Sequence, residues 1–187
     1  MKRWLLGVVS MVFCIGLANA SIIVDFTGIT PSGPNSVYNY TAAVAPDEEV
    51  DPSLNTTFFT IYDFSGFLSV VGAPANWGFT PSLSGPFPPG TSQPDNPAIL
   101  NITFFYTGPT IPGAFTFSGF QILDSSNQTQ QGAYAAEATK DSGDQTGSED
   151  SNVGFTTVPA VSPEPASLML IGGGLIALAF ARKRLMR

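Results

Sequence analysis

Proline and glycine recur along the chain at a spacing that leaves little room for long helices. The sequence contains 16 prolines and 19 glycines, and every proline lies between residues 31 and 165. Proline lacks the N–H that a helix interior needs, and glycine is costly there, so this distribution disfavours helical structure. Between these breakers stand short runs rich in β-branched and aromatic residues, which is typical of β-strands.

Eight of these runs predict strands, and turn-rich stretches such as TPSGPNS and PSLSGPFPPGTSQPDNP separate them. The predicted strands cover residues 22–27, 37–44, 56–62, 67–71, 99–106, 115–123, 132–139 and 153–158. Eight or nine short strands with such turns predict an antiparallel β-sandwich, with a barrel as the related alternative. In NITFFYTG, Ile102, Phe104 and Tyr106 alternate with other residues, so we expect their side of the strand to face the core. The tetrapeptide Phe-Ser-Gly-Phe occurs at 64–67 and 117–120, where a glycine bulge could turn both phenylalanines toward one side.

The first twenty residues have the three parts of a secretory signal peptide. Lys2 and Arg3 form a positive start, residues 4–17 are apolar, and Ala18-Asn19-Ala20 is a small-x-small cleavage site. We therefore expect signal peptidase, after export through the Sec translocon, to cut behind Ala20. The only cysteine, Cys14, leaves with this peptide, so the mature chain is expected to contain no disulfide.

The charges of the remaining body are almost all negative. The chain holds 14 acidic residues, all between residues 21 and 165, where Lys140 is the only basic residue, for a net charge of 1 − 14 = −13. Such a body repels phosphate backbones, so nucleic-acid binding is not expected. There is no histidine, and no cysteine after Cys14, which removes the usual nucleophiles, imidazole bases and zinc ligands. We predict that the protein is not an enzyme.

Weaker candidates for chemistry remain in the acidic segments. The run Asp47, Glu48, Glu49 and Asp51 is interpreted as a solvated turn. The segment KDSGDQTGSED offers oxygen ligands of the kind that calcium prefers, although it lacks EF-hand spacing and a polar loop is the default interpretation. The calcium candidates are Asp141, Asp144, Glu149 and Asp150.

Three further groups of residues have an ordinary and a functional interpretation. Asp63 is expected to end a strand and to accept a hydrogen bond from a turn. Trp77 is expected to pack, with a sugar-stacking platform as the alternative. N-x-S/T patterns mark candidate glycan acceptors if the host glycosylates secreted proteins, namely Asn39, Asn55, Asn101 and Asn127.

The C-terminus combines three features in a fixed order. Pro163-Glu164-Pro165 precedes the uncharged apolar segment 166–181, and the basic residues Arg182, Lys183, Arg184 and Arg187 follow at once. Sixteen residues are a marginal length for a transmembrane helix, and the basic cluster would stop transfer and stay cytoplasmic. We therefore predict one short C-terminal transmembrane helix, with the body on the other side of the membrane.

This tripartite ending, in a chain that begins with a signal peptide, closely resembles the PEP-CTERM sorting signal of Gram-negative bacteria. The resemblance implies that an exosortase in the inner membrane recognises Pro163, Glu164 and Pro165, cleaves near them, and releases or transfers the body to the cell surface. The predicted organisation is a signal peptide at 1–20, a β-rich extracellular domain at 21–158, and a linker with the sorting signal at 159–187.

Two functional classes follow from these features. The resemblance, the acidic surface and the missing catalytic residues favour a structural or interaction role in an exopolysaccharide-associated envelope or biofilm, with exopolysaccharide as a candidate partner. No cofactor is expected for this role, apart from the calcium candidates above. The alternative is a carbohydrate-binding module, in which Trp77 and a calcium-loaded acidic loop would form the site.

Overall fold

The computed structural model describes residues 21–52, 57–161 and 171–175. Residues 21–52 and 57–161 form strands joined by turns, and residues 171–175 are helical. Among the described residues, no helix combines the length and the apolarity that crossing a membrane requires. The strands are β1 (Ile22–Ser32), β2 (Asn35–Val44), β3 (Glu48–Val50), β4 (Phe58–Ile61), β5 (Phe67–Gly72), β6 (Trp77–Ser82), β7 (Asn101–Tyr106), β8 (Ile111–Pro112), β9 (Phe115–Asp124), β10 (Thr129–Lys140) and β11 (Glu149–Pro159).

The first of two antiparallel sheets contains four strands in the order β1-β2-β9-β5. Strand β2 alternates strictly between buried and half-buried residues, because one of its faces lies on the core. Its buried face carries Tyr38, Tyr40, Ala42 and Val44. This alternation is the pattern on which the sandwich prediction rested.

The second sheet contains seven strands arranged around β10, which is its longest member. Strand β11 pairs with β10 over its whole length, and β4 and β3 pair with successive parts of the other edge. Strands β7 and β6 continue the sheet beyond β4, and β8 pairs with β3. The two sheets enclose one aromatic core and form a β-sandwich, as predicted.

Aromatic side chains from both sheets meet at the centre of the core. The ring of Phe120, from the first sheet, lies 4.9 Å from that of Phe59 and 5.0 Å from that of Phe104, both edge-on. Trp77 completes the group at 5.2 Å from Phe120. Edge-to-face pairs of this kind add to the burial of apolar area, so this cluster joins the two sheets most directly.

The eight predicted strands are all present, and three short strands were missed. Strand β8 has only two residues, and three of the six residues of β6 are exposed. Strand β3 lies within the acidic run, where a solvated turn was expected, and Glu48 in it is completely buried. That interpretation was wrong, because tertiary pairing with β10 and a lysine partner outweigh the local preference of acidic residues for solvent.

The two Phe-Ser-Gly-Phe tetrapeptides bring both of their phenylalanines to the core by different means. In β9, Gly119 has φ +97° and is skipped in the pairing with β2, which is a bulge that buries both Phe117 and Phe120. Gly66 has φ +80° but lies in the turn before β5, where Phe64 is buried and Phe67 packs against the core. The bulge prediction is confirmed for the second copy only.

A long segment, residues 83–98, covers part of the outer face of the seven-stranded sheet. Tyr62 stacks on Phe87 at 5.3 Å and donates a hydrogen bond to the carbonyl oxygen of Pro86 at 2.6 Å. Tyr62, Ala133 and Ala135 form a small second apolar cluster beneath this segment. The outer face of this sheet is therefore partly buried, which strand alternation alone did not predict.

Candidate functional site

Opposite ends of the sandwich differ in charge, and the acidic end is built around Lys140. This end, formed by residues 47–51 and 140–150, carries Asp47, Glu48, Glu49, Asp51, Asp141, Asp144, Glu149 and Asp150, which are eight of the 14 carboxylates. The backbone N–H of Asp141 donates to the carbonyl oxygen of Asp47 at 3.0 Å and holds the two segments together.

Lys140 bridges three carboxylates from both segments. Its Nζ lies 2.6 Å from Oε1 of Glu48, 2.8 Å from Oδ2 of Asp150 and 3.1 Å from Oδ2 of Asp47. The Glu48 side chain is 0% exposed, whereas the other two carboxylates are about one-third exposed, at 30% and 31%. Ion pairs of Lys140 therefore connect β10 with β3 and β11.

The pKa values of two carboxyl groups in this cluster, Glu48 and Asp150, shift in opposite directions. Burial raises the pKa of Glu48 to about 7, although hydrogen bonding to Lys140 opposes the rise. No donor group in the described part of the chain reaches Oε2 of Glu48. Burial also acts to raise the pKa of Asp150, but hydrogen bonds from Lys140 and Glu48 hold it below its ordinary value. Glu48 is therefore only partly ionised near neutral pH, unlike Asp150.

The calcium candidates are not gathered into a binding site. Asp150 is engaged by Lys140, and Asp144 lies in the exposed loop between β10 and β11. Across residues 21–52, 57–161 and 171–175, no three His, Cys, Asp or Glu residues are grouped so as to hold a metal ion. The structure thus offers no geometric support for calcium at Asp141, Asp144, Glu149 and Asp150.

Two further carboxyl groups are buried elsewhere, and the sequence analysis had not singled them out. Burial raises the pKa of Asp124 to about 6, against a hydrogen bond from the backbone N–H of Ser126. Burial, helped by the charge of Glu149, raises the pKa of Glu137 to about 7. Asp124 is the last residue of β9, one position beyond the predicted strand, and Glu137 lies in the continuously buried part of β10. Only the position of Glu137 inside a predicted strand was an available signal.

Trp77 packs in the core and is only 7% exposed, as its ordinary interpretation predicted. It cannot serve as an exposed platform for sugar rings. Asp63 lies two residues after the end of β4, and its Oδ1 accepts a hydrogen bond from the backbone N–H of Asn96 at 2.9 Å, as expected.

The candidate glycan acceptors differ in exposure. Asn101 is completely buried, and its amide donates to Asp95 at 3.0 Å, so its selection as an acceptor is wrong for the folded domain. The amide of Asn39 donates to the carbonyl oxygens of Gly28 and Val37. Asn127 is exposed. Asn55 lies outside the described residues.

The end of the sandwich opposite to the acidic end is where the chain leaves the body; we call it the exit end. The backbone N–H of Ala160, just after β11, donates to the carbonyl oxygen of Gln128 at 2.8 Å. A cleft of about 740 Å³ lies beside it, between residues 31–36 and 125–127. No charged side chain lines this cleft, whose walls include Pro31, Pro34, Ser125 and Asn127.

These features define a class of protein: a β-sandwich body whose last strand leads directly into a C-terminal sorting signal. A family model described as the PEP-CTERM protein-sorting motif matches residues 163–184. The chain therefore carries a PEP-CTERM sorting motif, and the resemblance seen in the sequence is confirmed. A comparison with curated proteins finds no match. The motif implies export, processing by an exosortase and sorting at the membrane toward the surface.

The residues predicted to act in export and sorting lie outside the described part of the chain. They are Ala18 and Ala20 at the signal-peptide cleavage site, Pro163, Glu164 and Pro165 in the motif, and Arg182, Lys183, Arg184 and Arg187 in the basic tail.

Proposed function

We propose that the protein is a non-enzymatic structural or interaction component of the exopolysaccharide-associated cell surface. The observation that carries the proposal is the PEP-CTERM motif at residues 163–184, placed directly after a folded, strongly acidic β-sandwich. The two prolines of Pro163-Glu164-Pro165 favour an extended backbone, which would present Glu164 to a peptidase at the membrane face.

Replacement of the tripeptide tests the sorting step. Changing Pro163, Glu164 and Pro165 to alanine leaves segment 166–181 and the basic tail intact, so membrane insertion should persist while cleavage fails. In a host with an exosortase, intact mass and C-terminal peptide mapping should show an uncleaved precursor in the inner membrane. Val161→Ala with Ser162→Ala is the matched control and should be processed normally. A wild-type protein that keeps Arg187 would show instead that the tail is a plain anchor.

The surface role is tested by binding to the host's own exopolysaccharide. The folded body should sediment with purified polysaccharide or with matrix from the same organism, and addition of calcium should make no difference. A calcium-dependent gain in binding would favour the carbohydrate-binding alternative. That alternative currently lacks both of its supports, since Trp77 is buried and the acidic loop does not gather metal ligands.

A further inference from the structure

The position at which the chain leaves the sandwich constrains how the anchored precursor can stand on the membrane. Ala160 is held by its hydrogen bond to Gln128, and five residues separate it from Ala166, where the predicted membrane segment begins. Consecutive Cα atoms are at most about 3.8 Å apart, so the distance from Ala160 to Ala166 is at most about 23 Å. The tether is short because the last strand continues almost to the sorting motif.

The body is much larger than this tether. A compact domain of about 145 residues has a radius of gyration of roughly 15 Å and hence a diameter of roughly 40 Å. A tether of at most about 23 Å is shorter than this diameter, so the domain cannot turn its far end onto the membrane. The surface that surrounds Ala160 therefore stays close to the bilayer.

The exit end consists of elements from both sheets that meet around the chain exit. The hydroxyl group of Tyr38, from β2, donates to the carbonyl oxygen of Gln128 at 2.8 Å. The backbone N–H of Ser125, after β9, donates to the carbonyl oxygen of Gly66 at 3.1 Å. These bonds fix the loop 125–128 beside Ala160, so the neutral cleft is rigidly placed next to the tether.

Charge favours the same orientation. The exit end carries fewer carboxylates than the acidic end. Its cleft has no charged lining residue, Asp124 beside the cleft is completely buried, and Asp63 lies near Gln130 and Val158, whereas eight carboxylates lie at the opposite end of the strands. Anionic lipid headgroups repel carboxylates and do not repel hydroxyl, amide and proline surfaces. We propose that the exit end is a membrane-contact surface, which faces anionic lipid headgroups in the precursor while the acidic end points away. This inference rests on the membrane insertion of the tail that the proposed function requires.

Site-directed fluorescence quenching tests the orientation. The precursor, in a Cys14→Ala background, would be purified from the inner membrane of a host without exosortase and reconstituted in phosphatidylethanolamine–phosphatidylglycerol vesicles. A dye attached at Asn127→Cys, at the exit end, is compared with a dye at Ser142→Cys, at the acidic end; both residues are exposed. Headgroup-spin-labelled lipid should quench the dye at residue 127 several-fold more strongly than the dye at residue 142.

A longer tether provides the matched control. Insertion of a flexible Gly/Ser linker of about twelve residues between Ser162 and Pro163 adds an end-to-end distance of roughly 20 Å. The difference in quenching between the two dyes should then shrink markedly, because the body can rotate. A difference that persists unchanged would contradict the constraint by the tether.

The other outcomes separate this inference from the proposed function. If the protein floats with the vesicles but the two dyes are quenched equally, the membrane-contact surface is wrong and the sorting proposal stands. If the protein does not float, the tail does not insert and both fail. If residue 127 is quenched only after an exosortase is added, the tether alone does not hold this end at the lipid headgroups, and the inference is overturned.

Discussion

Lys140 is the only basic residue between residues 21 and 165, and the structure surrounds it with three carboxylates. Surface ion pairs contribute little to stability, but removal of one partner from a buried cluster leaves an uncompensated charge. Glu48 is the buried member, so the contribution of Lys140 depends on whether Glu48 is ionised.

We expect Lys140→Met to destabilise the body by about 3 kcal/mol at pH 8, where Glu48 is mostly ionised, and by less at pH 5. Urea unfolding at the two pH values measures the difference. Glu48→Gln combined with Lys140→Met should recover part of the loss, because the buried charge is gone. Glu49→Gln, which changes the neighbouring half-buried residue, is the control. An equal loss at both pH values would contradict the raised pKa of Glu48.

Buried carboxyl groups also predict the pH dependence of folding. Burial raises the folded-state pKa of Glu48 to about 7, of Glu137 to about 7 and of Asp124 to about 6. Between pH 5 and pH 7 the folded state therefore binds more protons than the unfolded state, and stability falls as pH rises through this window. We expect the melting temperature to be higher at pH 5 than at pH 8, by several degrees. Asp124→Asn, which keeps an acceptor for Ser126, should flatten the profile; a melting temperature that rises with pH would contradict it.

At the scale of single elements, the bulge in β9 decides which side chains fill the core. Phe117 and Phe120 are three residues apart, so regular alternation would place them on opposite faces of the sheet. The left-handed conformation of Gly119 removes one residue from the pairing with β2 and turns both rings inward. The bulge thereby supplies two rings to the cluster around Trp77.

We expect Gly119→Ala to cost about 1–2 kcal/mol, through backbone strain and not through a clash. A Cβ at this position would meet no atom within 4 Å, while φ is +97°. Urea unfolding of the variant, beside the exposed neighbour Ser118→Ala as control, measures the cost. Gly119→Asn should lose less, because asparagine tolerates this region better. A neutral Gly119→Ala would show that the bulge relaxes without penalty.

At the scale of the whole molecule, the body contains its own core. Among the described residues, the main aromatic cluster and the second cluster under residues 83–98 draw all their members from residues 22–158. A fragment of residues 21–161 should therefore fold as a β-rich monomer, without the tail. Circular dichroism should lack helical minima, and thermal unfolding should be cooperative, as in the same protein extended to residue 187. A disordered spectrum would show that the tail or a partner is needed.

The predictability of the site differs between its parts. The sorting motif was recognised from the linear order of Pro163-Glu164-Pro165, an apolar segment and basic residues. Such a motif consists of consecutive segments and does not depend on contacts between distant residues. The partners of Lys140 could not be predicted, since Glu48 and Lys140 are 92 residues apart and strand pairing alone brings them together. Asn101 was misjudged for the same reason, because residues outside its own strand bury it.

The sequence by itself determined the class of the fold, the acidity of the body and the sorting motif, because strand alternation, charge and linear signals are properties of neighbouring residues. Only the tertiary structure decided which carboxyl groups lose water, which face of the second sheet is covered, and which end of the sandwich adjoins the tether. These properties depend on strand order and register, which bring together segments that are distant along the chain. The Glu48 carboxyl group loses water only when these segments pack around it, and this loss of water raises its pKa.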